Sequence, residues 1–341
     1  MTLLTKFGLQ IPSFTYGDRG GGGSGRDGGA GAGGDNGRGL FEQVVSIATT
    51  AESAGFDSLW VMDHLFQIPG IGEVDEPMFE AYTLLGGLAA RTTRARLGAM
   101  VTGVTYRNPA LLAKEVTALD VLSGGRAVLG IGAAWFEAEH KGLGFEFPPL
   151  AERFVRLEEA LRICRAMFTE DAPSFEGRFY RINGAMNRPR PVQAGGPPIL
   201  IGGSGERRTL RLVAEYGDAC NIFGDAATVR HKLEVLARHC DDVGRDPATI
   251  TKTRLGTLVI AASAQEADRK LGDLAATRGL NEPMLRAMVT AGDPEAVTEQ
   301  VTALLASGLD GLVFNMPDAQ DLDSVTLAGQ TLTGAFGPLV R

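Results

Sequence analysis

Apolar and polar positions follow two alternating patterns along most of the chain. Short runs of consecutive apolar residues, typical of strands buried on both faces, are separated by segments with the apolar spacing of helices. The predicted strands cover residues 7–11, 58–62, 97–102, 127–131, 198–201, 219–223, 253–261 and 311–315. The predicted helices cover residues 40–54, 80–91, 108–122, 150–168, 206–216, 228–243 and 265–306, the last broken near Gly292.

Eight strands that alternate with helices predict an α/β protein built from parallel βα units. Closure into a (β/α)₈ TIM barrel accounts for eight strands better than an open doubly wound sheet does. The chain has 341 residues, enough for one such barrel with insertions, and we predict a single domain over residues 1–341. One insertion follows the fourth strand, where residues 174–182 predict a hairpin that turns at Glu176 and Gly177.

Residues 17–39 depart from this pattern. Their sequence, GDRGGGGSGRDGGAGAGGDNGRG, contains no large apolar residue, so burial cannot offset the entropy lost on ordering. We therefore predict a flexible Gly-rich loop after the first strand. It is not a phosphate-binding P-loop, because it lacks the GK[ST] ending. At the mouth of a barrel it would act as a loose lid or have no role.

Composition narrows the class of partner. A net charge of −8 and a sequence pI near 5.2 argue against nucleic acid or an anionic membrane as a partner. Cys164, Cys220 and Cys240 form no CxxC pair, so we expect neither disulfides nor a zinc site, and a reducing cytoplasm is the expected location. The sequence has neither an export signal nor a long apolar segment that would span a membrane.

The residues that follow the predicted strands are the candidates for chemistry, because a TIM barrel carries its function at the carboxyl ends of its strands. His64 follows the second strand, where it could be a general acid or base, or only a hydrogen-bonded loop histidine. Arg107 would neutralise an anionic ligand or pair with a carboxylate. Trp60 reads as a core residue, and Trp135 would line the pocket or cover the barrel.

Two glycine-rich segments also follow strands. Gly202, Gly203, Ser204 and Gly205 join the fifth strand to a helix predicted from residue 206, and such a turn can hold a phosphate on backbone N–H groups and the helix dipole. The same glycines would also serve a tight turn without a ligand. Residues 130–134 (GIGAA) suit either a planar ring close to the backbone or tight packing, and Trp135 excludes the dinucleotide-binding fingerprint.

A metal site is conceivable at one segment only. Glu137, Glu139 and His140 lie close together in WFEAEH, but no second cluster of ligands completes a site. We therefore predict that the protein binds no metal.

Four segments together resemble the luciferase-like monooxygenase family, and within it the group assigned to coenzyme F420, a deazaflavin. The segments are AESAGFDSLWVMDH, RLGAMVTGVTYRNPALLAKEVTALDVLSGGR, GIGAAWFEAEHKGLGFEFPP and ILIGGSGERRTLRLVAEYGDACN. The resemblance runs from about residue 7 to residue 221 and is weaker toward the C-terminus. The four segments in this order are specific for the family, although no single one is.

The resemblance implies a barrel with an insertion after the fourth strand and a cofactor ring over the strand ends. It also implies a bulge with a non-prolyl cis peptide at about Met100 and Val101, and a catalytic role for His64 near the reactive ring carbon. The expected cofactor-binding residues are Met100, Val101, Thr102, Gly132, Ala133, Ala134, Gly202, Gly203, Ser204, Gly205 and Asn221. Some deazaflavin dehydrogenases carry a glutamate where this chain has Trp135, which argues against a sugar-phosphate dehydrogenase.

The function that follows is an oxidoreductase that transfers a hydride between F420 and a small organic substrate. An FMNH₂-dependent monooxygenase and a non-catalytic flavin-binding protein are the alternatives. The substrate pocket is expected from residues 17–39, residues 67–78 and the insertion after the fourth strand, loops that vary in any barrel. The apolar helix face over residues 111–121 would support a homodimer.

Overall fold

The computed structural model describes residues 4–15 and 36–339. The strands of these residues are β1 (Phe7–Ile11), β2 (Ser58–Val61), β3 (Arg96–Ala99), β4 (Thr102–Gly103), β5 (Ala127–Gly132), β6 (Phe175–Glu176), β7 (Arg181–Ile182), β8 (Ile199–Gly202), β9 (Ala219–Ile222), β10 (Thr251–Ile260), β11 (Thr290–Gly292) and β12 (Gly311–Asn315). The helices are α1 (Asn36–Ala54), α2 (Ala81–Ala89), α3 (Pro109–Ser123), α4 (Glu137–Leu143), α5 (Leu150–Thr169), α6 (Thr209–Tyr216), α7 (Ala226–Val243), α8 (Ala264–Thr277), α9 (Glu282–Met288), α10 (Pro294–Leu305) and α11 (Leu322–Phe336), with a 3₁₀ turn at Pro247–Thr249.

Eight parallel strands close into a barrel. Neighbouring strands run in the order β1, β2, β3, β5, β8, β9, β10 and β12, and β12 pairs with β1 again. Gly8 of β1, for example, pairs with Ser58 on one side and with Val313 on the other. Every predicted strand overlaps one of these eight. The predicted (β/α)₈ barrel with an insertion after the fourth strand is therefore confirmed.

The lower half of the barrel is filled by side chains. Trp60 lies in its interior, fully buried, and its indole N–H donates to Ser58 Oγ at 2.8 Å. Two glycines provide the space: a Cβ atom at Gly8 or at Gly98 would lie 2.8 Å from atoms of the indole. Trp60 is thus a core residue, as predicted. With the lower half closed, the carboxyl ends of the strands remain for a ligand.

The third predicted strand is interrupted by a bulge. β3 ends at Ala99, β4 begins at Thr102, and the peptide bond between Met100 and Val101 is cis. The amide of Gln10, on β1 two strands away, donates to the Met100 carbonyl at 3.2 Å. Gly130 allows the close approach, since a Cβ atom there would lie 2.0 Å from the Ala99 carbonyl oxygen. The cis peptide expected at these two residues is confirmed.

The predicted hairpin is present, but its turn lies further along the chain. Phe175 pairs with Ile182 and Glu176 with Arg181, so the turn covers residues 177–180 rather than Glu176 and Gly177. The buried carboxylate of Glu159 accepts hydrogen bonds from the N–H groups of residues 178, 179 and 180, at 2.6 to 3.0 Å. This contact from α5 fixes the turn and is invisible in the local sequence.

The region predicted as helical over residues 265–306 contains a short strand instead of a simple break. β11 pairs in parallel with the far end of β10, with Leu258 opposite Thr290 and Ile260 opposite Gly292. β10 extends beyond the barrel, and pairing with it holds three residues in an extended form that their own sequence does not specify. The helix α11 after β12 was also absent from the prediction.

The Gly-rich segment is only partly described. Residues 17–35 lie outside the described residues, whereas residues 36–39 belong to α1, which begins four residues earlier than the sequence pattern indicates. Once the amphipathic part of a helix is packed, adding a turn at its end costs little nucleation. Of the helices in the described part of the chain, none combines the length and the apolar character needed to cross a membrane.

Candidate active site

A cavity of about 290 Å³ opens at the carboxyl ends of the barrel strands. Among the residues that line it are ten of the twelve predicted site residues: His64, Met100, Val101, Thr102, Gly132, Ala133, Ala134, Gly202, Gly203 and Asn221. The other two, Ser204 and Gly205, line an open groove beside it. The structure therefore brings the predicted residues to one place. We call the first space the mouth cavity and the second the side groove.

The floor of the mouth cavity is formed by the bulge and the glycines that face it. A Cβ atom at Gly202 would lie 2.8 Å from one methyl group of Val101, and a Cβ atom at Gly132 would lie 2.9 Å from the other. Larger residues at either position would displace Val101 into the cavity. The glycines that end β5 and β8 therefore keep the floor low, which suits a planar group lying over it.

His64 lies at the edge of this cavity and is held by a carboxylate. Its Nδ1 atom is 2.7 Å from Oε1 of Glu139, and its ring makes an edge contact with Trp135 at 5.5 Å between centroids. A carboxylate only accepts hydrogen bonds, so Nδ1 carries the proton in the neutral imidazole. Nε2 is then the basic atom of His64, and the imidazole is 14% exposed.

Glu139 is fully buried in α4 and is the centre of a hydrogen-bond network. Besides His64, it accepts from the N–H groups of Leu65 at 2.7 Å and Phe66 at 3.1 Å, and from the Tyr106 hydroxyl. Burial alone would raise the pKa of Glu139, but the hydrogen bonds from His64, Tyr106 and Leu65 outweigh it and hold the pKa below its ordinary value. Glu139 is thus ionised and fixes both the loop after β2 and the tautomer of His64.

Sequence reasoning missed this role of Glu139. In the structure, Glu137 pairs with Lys141 at 2.8 Å, while His140 Nε2 meets Thr105 Oγ1 at 2.6 Å, so the three WFEAEH side chains have separate partners. The absence of a metal site stays a prediction, and no group of metal-binding side chains occurs within residues 4–15 and 36–339. The spacing of Phe136, Glu139 and His140 (i, i+3, i+4) was the one available signal of an inward face.

A buried ion pair supports the segment after the bulge. The guanidinium of Arg107 donates to both carboxylate oxygens of Asp63, at 2.7 and 3.0 Å. Asp63 also accepts from the Gly103 N–H at 3.2 Å. Glu80 and Glu115 pair with the same guanidinium. Burial raises the pKa of Asp63, even against the attraction of Arg107. Of the two interpretations of Arg107, pairing with carboxylates is the one that the structure supports.

The turn after β8 differs in detail from the prediction. Helix α6 begins at Thr209, because residues 206–208 form a turn before it. The Gly203 N–H donates to the Asn221 carbonyl at 3.0 Å, and Ser204 Oγ accepts from the Phe223 N–H at 2.9 Å. The backbone N–H groups of Ser204 and Gly205 have no acceptor in the described part of the chain. These two donors, with the Ser204 hydroxyl proton, are available to an anion.

The closed barrel with its mouth cavity defines a TIM-barrel protein, and the comparisons name its family. A profile of the luciferase-like monooxygenase family matches residues 24–311, and the chain belongs to this family. It is 31% identical over 307 residues to the F420-dependent glucose-6-phosphate dehydrogenase of Nocardia farcinica, covering 81% of this chain and 88% of that protein.

Two further comparisons agree with the fold. The chain is 32% identical over 251 residues to the 5,10-methylenetetrahydromethanopterin reductase of Archaeoglobus fulgidus, covering 73% of this chain and 67% of that one. The structure of the coenzyme F420-dependent tetrahydromethanopterin reductase from Methanopyrus kandleri superposes with a TM-score of 0.76 at 17% identity, over 97% of this chain and 99% of that one.

Proposed function

We propose that the protein is an oxidoreductase that transfers a hydride between coenzyme F420 and a small organic substrate. The observation that carries this proposal is the His64–Glu139 pair at the edge of a cavity whose floor is the Met100–Val101 bulge. The similarity to the F420-dependent glucose-6-phosphate dehydrogenase of Nocardia farcinica supports the choice of cofactor. When bound, F420 supplies the carbon that accepts or donates the hydride.

The described residues fit such a cofactor. The low floor around Val101, Gly132 and Gly202 accepts a flat ring, with Met100, Thr102, Ala133, Ala134 and Asn221 around it. At the turn after β8, the N–H groups of Ser204 and Gly205 and the Ser204 hydroxyl would hold the phosphate. Gly202 and Gly203 would contribute close backbone approach rather than donors, because the Gly203 N–H is already bonded within the barrel.

His64 would move the proton that accompanies the hydride. Since Glu139 keeps the proton of the neutral ring on Nδ1, Nε2 can accept a proton from a substrate hydroxyl when the substrate is oxidised. In the opposite direction, the protonated ring would donate from Nε2 to a carbonyl oxygen. Glu139 stabilises the positively charged ring in both cases. The same pair therefore serves either direction.

The side groove favours F420 over FMN. It has a volume of about 520 Å³, starts at Ser204 and Gly205, and is lined by Arg207, Arg208 and Lys232. Lys232 pairs with Glu206 at 2.6 Å, but neither arginine has an ion-pair partner among the described residues. F420 continues beyond its phosphate as a chain of carboxylates, whereas FMN ends there. Cationic residues beyond the phosphate turn suit the longer, anionic cofactor.

A second candidate is an FMNH₂-dependent monooxygenase that uses the same cavity. The matching family is named for a monooxygenase activity, which supports this candidate. The cavity would also fit FMN, because FMN and F420 both present a tricyclic ring and a phosphate. A non-catalytic flavin-binding protein, the remaining alternative, would not need the His64–Glu139 pair.

Fluorescence titration of the purified protein with F420 and, separately, with FMN tests the proposal. We expect saturable binding of F420 and weaker binding of FMN. Micromolar binding of FMN with no response to F420 would overturn the choice of cofactor. Substrate turnover assays with the bound cofactor then separate an enzyme from a carrier.

A further inference from the structure

A second cavity, of about 200 Å³, opens at the barrel mouth beyond the ends of β1 and β12. Its lining includes Ser13, Thr15, Glu76, Arg278 and Asn315. Asn315 ends β12, and its Oδ1 accepts from Thr257 Oγ1 of the neighbouring strand β10 at 2.8 Å. Leu255, two residues before Thr257 on the inward face of β10, lines the mouth cavity. Both cavities therefore open at the carboxyl ends of the barrel strands, and β10 and β12 run between them.

Arg278 brings an unpaired charge to this second cavity. It follows α8, where its backbone N–H donates to the Leu274 carbonyl at 3.0 Å. Its guanidinium is half-buried, yet it forms neither a hydrogen bond nor an ion pair with any described residue. Burial without a compensating partner holds the pKa of Arg278 below its ordinary value.

Other buried arginines of this chain do have partners. Arg107 is paired with three carboxylates, and the Arg153 guanidinium donates to carbonyl groups of residues 133, 134 and 148. A partly desolvated guanidinium is costly when it has no acceptor. The exception at Arg278 therefore points to an acceptor that is not among the described residues.

We propose that this second cavity is a subsite for an anionic group of the substrate, a carboxylate or a phosphate, which Arg278 binds while the reacting carbon lies beside His64. The assignment rests on the proposed function, because it places a substrate next to the cofactor. A planar guanidinium matches both oxyanions with two parallel hydrogen bonds. Asn315 accepts through Oδ1 and so leaves its Nδ2 donors for a further oxygen of the same group.

The carboxylate of Glu76 sets the orientation of the substrate. It lines the same cavity and accepts from Thr15 Oγ1 at 2.8 Å, and it would repel an anion on its own side. The anionic group therefore lies on the Arg278 side, and a hydroxyl of the substrate suits the Glu76 side. A small hydroxylated or carbonyl-containing anion is the substrate class that these residues fit.

This subsite is separate from the turn that would hold the cofactor phosphate. In the barrel order, β8 is four strands from β1, so the turn at Ser204 and the residues after β1 lie on opposite sides of the mouth. His64, after β2, lies between them along the rim. A cofactor anchored on one side and a substrate anchored on the other would bring their reacting atoms together over the barrel.

Calorimetric titration with inorganic phosphate tests the subsite. The protein is saturated with F420, so that the turn at Ser204 is filled, and Arg278→Gln is compared with Arg269→Gln, which removes an exposed arginine of α8 that pairs with Asp273. We expect Arg278→Gln to weaken phosphate binding by about tenfold or more, and Arg269→Gln to change it by less than about twofold. Acetate in place of phosphate distinguishes a phosphate subsite from a carboxylate subsite.

Three results would overturn the subsite: no phosphate or acetate binding by the unaltered protein at millimolar concentration, equal binding by Arg278→Gln, or an equal loss in both variants. Arg278→Lys, which keeps the charge but not the two parallel hydrogen bonds, should bind phosphate more tightly than Arg278→Gln, and this partial recovery would show that the effect is not misfolding. If F420 does not bind, the titration is repeated with Ser204→Asp, which blocks the turn by repulsion. Binding that still depends on Arg278 would then uphold the subsite although the proposed function fails.

Discussion

The Nδ1 atom of His64 lies 2.7 Å from Oε1 of Glu139, although 75 residues separate them in the chain. The contact joins the loop after β2 to a short helix in the insertion after β5. Its consequence is chemical, because a buried, ionised carboxylate fixes which ring nitrogen carries the proton. The basic nitrogen, Nε2, is then left for a substrate.

Replacing His64 by Asn tests the role of the ring. Asparagine keeps a polar side chain beside Glu139 but cannot transfer a proton. We expect turnover to fall by about 10²- to 10⁴-fold, with cofactor affinity changed by less than about threefold. Steady-state kinetics measures the turnover, and a fluorescence titration measures the cofactor affinity. Unchanged turnover would remove His64 from the chemistry and favour the non-catalytic alternative.

Replacing Glu139 by Gln tests the orientation of His64. The glutamine amide can donate to Nδ1, and the ring would then carry its proton on Nε2, the wrong atom for a base. We expect turnover to fall by about 10²-fold or more and the pH profile of kcat to shift. Glu137→Gln is the matched control, because Glu137 is exposed on the same helix and pairs only with Lys141. Equal losses in both variants would contradict the assignment.

The lowered pKa of Glu139 also makes a prediction for stability. An acid whose pKa is lower in the folded protein stabilises the fold fully above its unfolded value, about 4.5, and this contribution disappears as the pH falls through the folded value. We expect the free energy of unfolding in urea to decrease below pH 4.5. The decrease should be smaller in Glu139→Gln, because the carboxylate at position 139 is then absent and cannot titrate. Parallel pH dependences for the two proteins would show that this network contributes little.

The barrel could be predicted from the sequence because its strands are buried on both faces. Such strands are nearly continuous runs of apolar residues, which the local sequence shows directly. β11 could not, since its three residues are extended only through pairing with the far end of β10. The turn at residues 177–180 depends in the same way on Glu159, which lies in another element. The local order of apolar and polar residues indicates which positions are buried. The strand β11 and the turn at residues 177–180 depend instead on contacts with residues that are distant in the chain.

The candidate site shows the same division. His64, Val101 and Gly202 could be placed together because each lies at or just after the carboxyl end of a barrel strand, and these ends converge in any TIM barrel. The partner of His64 could not be identified, because Glu139 lies on a helix within an insertion. The positions of the barrel strands do not determine where such an insertion packs. Its neighbour His140 made the segment look like a metal site, although their side chains meet different partners.

The side groove gives a prediction that separates the two cofactors. Changing Arg207 and Arg208 together to Glu reverses the charge beyond the phosphate turn. We expect the affinity for F420 to fall by about tenfold or more, and the affinity for FMN to change much less. The difference should shrink at high salt, where charges on the surface are screened. Equal weakening of both cofactors would mean that the groove does not recognise the tail.

The floor of the mouth cavity allows a test of packing that does not depend on the reaction. In Gly202→Ala the new Cβ atom would lie 2.8 Å from one Val101 methyl group and 2.9 Å from the other, so Val101 must move. We expect a loss of about 1–3 kcal/mol in the free energy of unfolding, measured in urea, together with weaker cofactor binding because Val101 rises into the cavity. Gly86→Ala is the control, since a Cβ atom there meets nothing within 4 Å and a helical alanine should be neutral or stabilising. The double variant Val101→Ala with Gly202→Ala should recover stability relative to Gly202→Ala alone, because the methyl groups that collide are gone. If the double variant instead loses the sum of the unfolding free energies lost in the two single variants, Gly202 is required for a reason other than the space beside Val101.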